Sequence, residues 1–189
     1  AEARALAEKT GIAALIAEAE GAARALEAPA ARLIARGQTR PLRLDEVEAL
    51  LASDALVIDA CRHMVAQGGE AAALHSRPVL FALARALAEA WPGAASRGEL
   101  LARAFRARHV DESHRARLRV EIGRLRKALA LLAGIEAVEG GFMLKPRARA
   151  VVLAPPAEEA HGEVLALLAD GEAWSSSALA LALGASQRT

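Results

Sequence analysis

The stretch Ser113 to Leu129, SHRARLRVEIGRLRKAL, restricts the fold more than any other part of the chain. Leu118, Ile122, Leu125 and Leu129 recur at spacings of four, three and four, which at about 100° per residue places them on one narrow face of a helix. That face is expected to be buried. Going round from it, Arg117, Gly123, Arg124 and Lys127 point away, Arg115, Arg119 and Arg126 flank one edge, and Glu121 and Ala128 flank the other. An ordinary solvated helix mixes its signs, whereas this one carries six cations and one anion, so it calls for an anionic partner.

The charge is local. Between Arg97 and Lys127 there are ten Lys and Arg against four acids, a balance of +6, while the whole chain of 189 residues carries only +1. The remainder is therefore −5, and a cationic patch on a mildly acidic body is the footprint of a module that touches phosphate with one face. The residues fitted for this are Arg97, Arg106, Arg108, Arg115, Arg117, Arg119, Arg124, Arg126 and Lys127. Arginine suits the task because its planar fork engages guanine O6 and N7, or a phosphate, with two hydrogen bonds. If the anionic partner is a DNA duplex, Arg117, Arg124 and Lys127 are the residues to face its groove, and Arg115, Arg119, Arg126, Arg97, Arg106 and Arg108 those to hold phosphates. Glu121 could accept from cytosine N4. Ser113 and His114, in the first turn, could donate to phosphate with help from the helix amino end, although Ser113 or Asp111 also serves as a plain cap. The competing reading is an arginine-rich helix that packs on the chain's own acidic N-terminal segment.

Residues 1–53 read as an Ala-rich helical segment, either an adaptor or the end of a helical-repeat array: Ala1 to Glu8, Ile12 to Glu27, Ala30 to Ala35 after Pro29, and Asp45 to Leu51 opened by an Asp45/Glu48 capping box. From Ala55 the pattern changes. Leu56 to Ile58, Met64–Val65 and Ala71 to Leu74 read as strands of a small antiparallel sheet around Gly68–Gly69. Ser76 with Pro78 opens a helix carrying Val79, Leu80, Leu83 and Leu87, and Ser96 with Glu99 forms a capping box before Leu100, Leu101, Ala104 and Phe105. The basic helix follows, ended by Gly134, and Ile135 to Val138 and Phe142 to Leu144 flank Glu139-Gly140-Gly141 as a hairpin.

This order, strands then three helices then a hairpin, is carried by Ile58-Asp59, Gly68-Gly69, Leu74-His75-Ser76, Ser96-Arg97-Gly98-Glu99-Leu100, Ile122-Gly123-Arg124-Leu125-Arg126-Lys127-Ala128-Leu129 and Glu139-Gly140-Gly141-Phe142-Met143-Leu144. Over about Asp54 to Pro146, half the chain, it resembles the OmpR/PhoB-type winged-helix effector domain of bacterial response regulators. The third-helix block is the specific part. The resemblance implies that the helix 113–129 lies in the DNA major groove, with the hairpin reaching towards the adjacent minor groove. Three features depart from the family pattern. Glu139 stands at the wing tip where the family commonly has a basic residue, Gly123 replaces a polar side chain, and residues 1–53 are too short and too helical for a phosphoacceptor receiver domain.

After Pro155–Pro156 a new pattern begins. Val164, Leu165 and Leu168 share a helix face, and Ala180 and Gly184 have the separation of the small residues in a helix-turn-helix, with Ser186 as the cap of a recognition helix. The expected fold class is mostly α with small antiparallel β-sheets (α+β): residues 1–53 helical, 54–149 a winged helix-turn-helix, and 157–189 part of a second helix-turn-helix.

Function classes are excluded as well as indicated. Cys61 is the lone cysteine, so no internal disulfide forms, and the usage fits a reducing cytosol. Cys61 and His63 share a strand face, but two ligands do not make a tetrahedral metal site. His75, His109 and His161 stand with no nucleophile or carboxylate at a recognisable spacing, and no phosphate-cradling glycine loop occurs, so no catalytic residue, cofactor, metal or small-molecule substrate is implied. No apolar run approaches the roughly 18 residues that span a bilayer, which leads to the expectation of a soluble, cytoplasmic protein. The sequence opens without Met inside a helical pattern and stops one turn into another, as a piece of a longer protein would. The expected activity is that of a bacterial transcription regulator, not an enzyme, binding double-stranded DNA, with a second copy or RNA polymerase as protein partners. The alternative is a winged-helix interaction module whose arginines meet an acidic protein.

Overall fold

The computed structural model describes residues 2–105 and 112–156. These form an α+β arrangement of six helices, a six-stranded mixed sheet and a three-stranded antiparallel sheet.

Helices α1 (Glu2–Thr10) and α2 (Ala13–Glu27) form a hairpin turned by Gly11, with Arg4 bound to Glu8 (3.0 Å) and lying 3.8 Å from Glu20. Two thin Ala-rich helices bury little, and Leu6, Ile12, Leu15 and Leu26 remain exposed. The segment expected to continue as a helix from Ala30 to Ala35 is instead strand β1 (Ala31–Ala35), paired to β2 (Gln38–Leu42) through a two-residue turn. Arg36 and Gly37 both take positive φ there, as a type I′ hairpin turn requires. Pro41 is tolerated because β2 is an edge strand. Helix α3 (Leu44–Leu51) follows, and its amino end is closed by the Glu46 carboxylate accepting the Arg43 backbone N–H (3.0 Å), not by an Asp45/Glu48 pair.

Strands β3 (Leu56–Asp59), β4 (Met64–Gln67) and β5 (Glu70–Ala73) form the expected meander, with Gly68 and Gly69 both at positive φ in the β4–β5 turn. The sheet does not stop there. Strand β9 (Ala150–Ala154) runs parallel to β3 on one side and antiparallel to β1 on the other, giving the order β2-β1-β9-β3-β4-β5. The boundaries expected at 53/54 and after 149 therefore fall inside one hydrogen-bonded sheet. Buried backbone explains why: the N–H and C=O groups of a fully buried strand need partners on both edges, and β1 and β3 supply them. All five residues of β9 are buried, and Arg32 adds a side-chain bond to the Pro155 carbonyl (2.9 Å).

Alternation along β3 and β9 sends side chains to two cores. Val57, Val151 and Leu153 meet Leu50 of α3 on one face, and Leu56, Ile58, Ala150 and Val152 meet the helices on the other. The central element of the larger core is α4 (Pro78–Ala90), where Leu83, Leu87 and Ala88 have no exposed surface. Pro78 occupies the first turn as expected, but Arg77, not Ser76, is the N-cap and makes no side-chain capping bond. Short strand β6 (Ala95–Ser96) leads into α5 (Arg97–Phe105), capped reciprocally as expected. The Glu99 N–H donates to Ser96 Oγ (3.2 Å), and Glu99 Oε2 accepts from the Ser96 N–H (2.9 Å).

Helix α6 (Glu112–Ala128) then crosses α4 and α5. It ends at Ala128, and the chain turns through Leu129 to Leu132, so Gly134 does not terminate the helix but lies inside strand β7 (Ala133–Val138), opposite Lys145. Strand β8 (Gly141–Pro146) completes the hairpin and pairs on its other edge with β6. A Cβ at Gly141 would overlap the Ala95 carbonyl, so only glycine permits that close approach. Among the described residues no helix is long and apolar enough to cross a membrane. The expected second helix-turn-helix at 157–189 lies outside the described residues.

Candidate nucleic-acid interface

The stripe that organises α6 is buried as its spacing requires: Leu118, Ile122 and Leu129 are 1% exposed and Leu125 not at all. They join Leu80, Leu83, Leu87, Leu100 and Leu101 in one cluster, which fixes the rotation of the helix about its axis. With the stripe inward, Arg117, Arg119, Arg124, Arg126 and Lys127 are all exposed, as are Ser113 and Arg115, while His114 is half-buried.

Each cation is held differently. The Arg117 guanidinium lies 4.6 Å from the centroid of the Phe105 ring at the end of α5, a distance at which the ring face attracts a cation. Arg126 donates from Nε to the Ile135 carbonyl in β7 (2.9 Å), which ties the helix to the hairpin. Arg124 donates to Glu121 Oε1 (2.8 Å). None of His114, Arg115 and Arg119 is without an interaction partner. Lys127 is exposed one residue beyond Arg126. At the start of α5, the Arg97 N–H donates to the Gly140 carbonyl (3.0 Å), and its guanidinium sits 5.8 Å from the Phe142 ring. Arg97 is thus brought to the tip of the hairpin, where Glu139 stays exposed. Arg103, counted in the cationic stretch, is drawn away by Glu89 (2.7 Å), which also binds Arg85 (2.8 Å). Arg106 and Arg108 lie outside the described residues.

Glu121 is the clear correction. As a candidate acceptor from cytosine N4 it would need its carboxylate in solvent, yet it is 9% exposed and bound to Arg124. The reason is tertiary: its edge of α6 packs towards the amino end of α4, and a cleft of about 460 Å³ there is lined by Arg77, Pro78, Val79, Leu80, Glu121 and Arg124. Two residues missed by the sequence reading belong to this surface. Val120 stands 54% exposed on the outward side of α6, which the helical angle alone could have shown, and Arg77 faces the cleft, which only packing reveals.

The remaining candidates are accounted for by structure. Cys61 and His63 do not share a strand face but sit in the turn after β3, where Asp59 accepts the Cys61 and Arg62 N–H groups (2.8 and 3.0 Å). The His63 ring packs edge-on against Phe81, centroids 4.7 Å apart. Among the described residues no three His, Cys, Asp or Glu side chains converge on a point that could hold a metal ion. The Glu99 carboxyl is held below the usual carboxylate range by the Ser96 backbone N–H and hydroxyl, and that of Glu46 by the Arg43 N–H and the Arg40 guanidinium. No family model, no curated protein and no solved structure matches the chain.

Proposed function

We propose that this chain binds double-stranded DNA with a preference for sequence, through a winged helix-turn-helix of the OmpR/PhoB type whose recognition helix is α6. The observation that carries the reading is a helix pinned by four buried aliphatic side chains that leaves six cations exposed around the rest of its surface. A helix about 10–12 Å across fits the major groove, where base edges differ from one another. The order α4, α5, α6 and then the β7–β8 hairpin, with β6 added to its edge, supports the winged-helix assignment.

In this arrangement Arg117, Val120, Arg124 and Lys127 face the groove, Val120 offering an apolar surface to a thymine methyl. Arg115, Arg119 and Arg126 flank them and, with Arg97 beside the hairpin, hold phosphates. Ser113 and His114 sit in the first turn, where backbone N–H groups favour an anion. Phosphate contacts set the register and base contacts the sequence. The chain would then serve a bacterial transcription regulator acting on the nucleoid, with a second copy of itself or RNA polymerase as protein partner.

The test is selection of bound duplexes from a random pool, followed by competition titrations. A selected duplex that competes about a thousandfold or more better than an unrelated one of equal length supports specific readout, given the usual span between specific and non-specific binding. Equal competition by both contradicts it, and binding of an acidic protein in place of any duplex moves the arginine surface to the interaction-module reading.

A further inference from the structure

Glu121 is the one carboxylate among the side chains of Ser113 to Leu129, and it is nine-tenths buried. A carboxylate withdrawn from water needs a partner, because an unpaired buried charge is costly. Its partner is the Arg124 guanidinium, one helical turn on at 2.8 Å, and the two ends of the pair differ sharply: the Glu121 side chain is 11% exposed and that of Arg124 64%. One end is anchored in the cleft beside the first turn of α4 and the other stands in solvent. The contact uses a single terminal nitrogen of the arginine, Nη1. The Nε and Nη2 edge of the fork is left to donate, and that edge alone suffices for a bidentate contact with guanine O6 and N7.

From this geometry we infer that Glu121 is a positioning residue for sequence readout: itself out of reach of a duplex, it holds the Arg124 guanidinium so that its outer edge projects from α6 towards a guanine. This rests on the DNA-binding reading of α6. An arginine on a long flexible stem loses rotamer freedom when it docks, and a carboxylate that has already fixed the fork removes part of that cost before binding. The same carboxylate lies close to the cationic face and repels phosphate, so Glu121 disfavours indiscriminate binding while favouring the one base it serves.

The test uses the full chain and a duplex selected by the wild-type protein, with the four base pairs exchanged in turn at each position. Arg124→Ala identifies the position at which discrimination is lost. Glu121→Gln, which keeps the size and can still accept weakly from Arg124, is expected to lose about tenfold in discrimination at that position only, within the range one bidentate base contact provides. It is also expected to bind an unrelated duplex more tightly at low salt. A merely structural role would lower both affinities together. The double variant should discriminate no worse than Arg124→Ala alone. Should Glu121→Gln fold poorly, Arg124→Lys on the exposed end of the pair is expected to lose the discrimination while keeping the salt dependence. The Arg124 Nε–H signal, rigid on the nanosecond timescale in the free wild type, should become mobile in Glu121→Gln. Full discrimination by Glu121→Gln, or an Arg124 signal already mobile in the wild type, overturns the positioning role. A wild-type protein that prefers no sequence overturns the DNA reading and this role with it.

Discussion

Replacing Leu125 by alanine tests whether the buried stripe of α6 is what holds the arginine surface in place. Leu125 has no exposed surface and sits in the larger core among Leu118, Ile122, Leu129 and the leucines of α4 and α5. Removing three carbons from such a site costs their transfer free energy and leaves a cavity that the surrounding helices fill only in part, about 3 to 4 kcal/mol in all. A domain of this size holds about 5 to 15 kcal/mol in total, so the loss is a large share, and at 2 to 4 °C per kcal/mol it corresponds to a fall in Tm of about 10 °C. Val120→Ala on the same helix is the internal control, because its side chain is 54% exposed and its truncation should change stability by no more than about 0.5 kcal/mol. Urea titrations followed by circular dichroism read both variants. If Leu125→Ala and Val120→Ala cost the same, α6 is not rotated as described, and the assignment of its outward residues falls with it.

Gly141→Ala should destabilise by about 1 to 3 kcal/mol, since its Cβ overlaps the Ala95 backbone and the β6–β8 pairing must open, whereas Gly123→Ala in the open middle of α6 should stabilise by about 0.5 to 1 kcal/mol. Thermal melts of the two variants with opposite signs confirm the contrast, and equal signs refute it. The Glu99 carboxyl is depressed by the Ser96 N–H first and its hydroxyl second. Because its folded value lies below its unfolded one, its contribution is present above the ordinary carboxylate value and disappears as pH falls through the folded value. The Tm difference between wild type and Glu99→Gln should therefore be present at neutral pH and shrink under acid conditions, and a difference independent of pH refutes the capping role. Arg97→Ala should weaken binding to every duplex alike, as the loss of a phosphate contact does, and lower the slope of log affinity against log salt by about one unit. A loss confined to one sequence would make it a base reader.

How much of this was legible in the sequence depends on how local each signal is. The stripe Leu118, Ile122, Leu125 and Leu129, the Ser96/Glu99 capping box, the Gly68–Gly69 turn and the hairpin around Glu139–Gly140 depend on neighbours a few residues apart, and each stands where spacing placed it. Strand β1 was not legible. Ala31-Arg32-Leu33-Ile34-Ala35 favours a helix by composition and becomes a strand because β9, more than a hundred residues away, needs an edge partner. Strand β9 is hidden in the sequence for a related reason: buried on both faces, it shows no alternation, and its apolar run before Pro155–Pro156 resembles a linker. At the candidate interface, periodicity gave the outward direction of Arg117, Arg124 and Lys127 but left the environment of the flanks open. Whether Glu121 met solvent or the amino end of α4 was a question of packing, and packing turned it from a reader of bases into the partner of Arg124.

Backbone amide shifts recorded while the selected duplex is added to isotope-labelled protein bear most directly on the claim that α6 is the surface that meets DNA. The account places the largest changes along Ser113 to Lys127, with a second group at Arg97 and Glu139–Gly140, and leaves α1, α2 and the outer strands β2 and β5 unmoved. Changes concentrated on the α1–α2 hairpin or on the six-stranded sheet, with α6 silent, would contradict it.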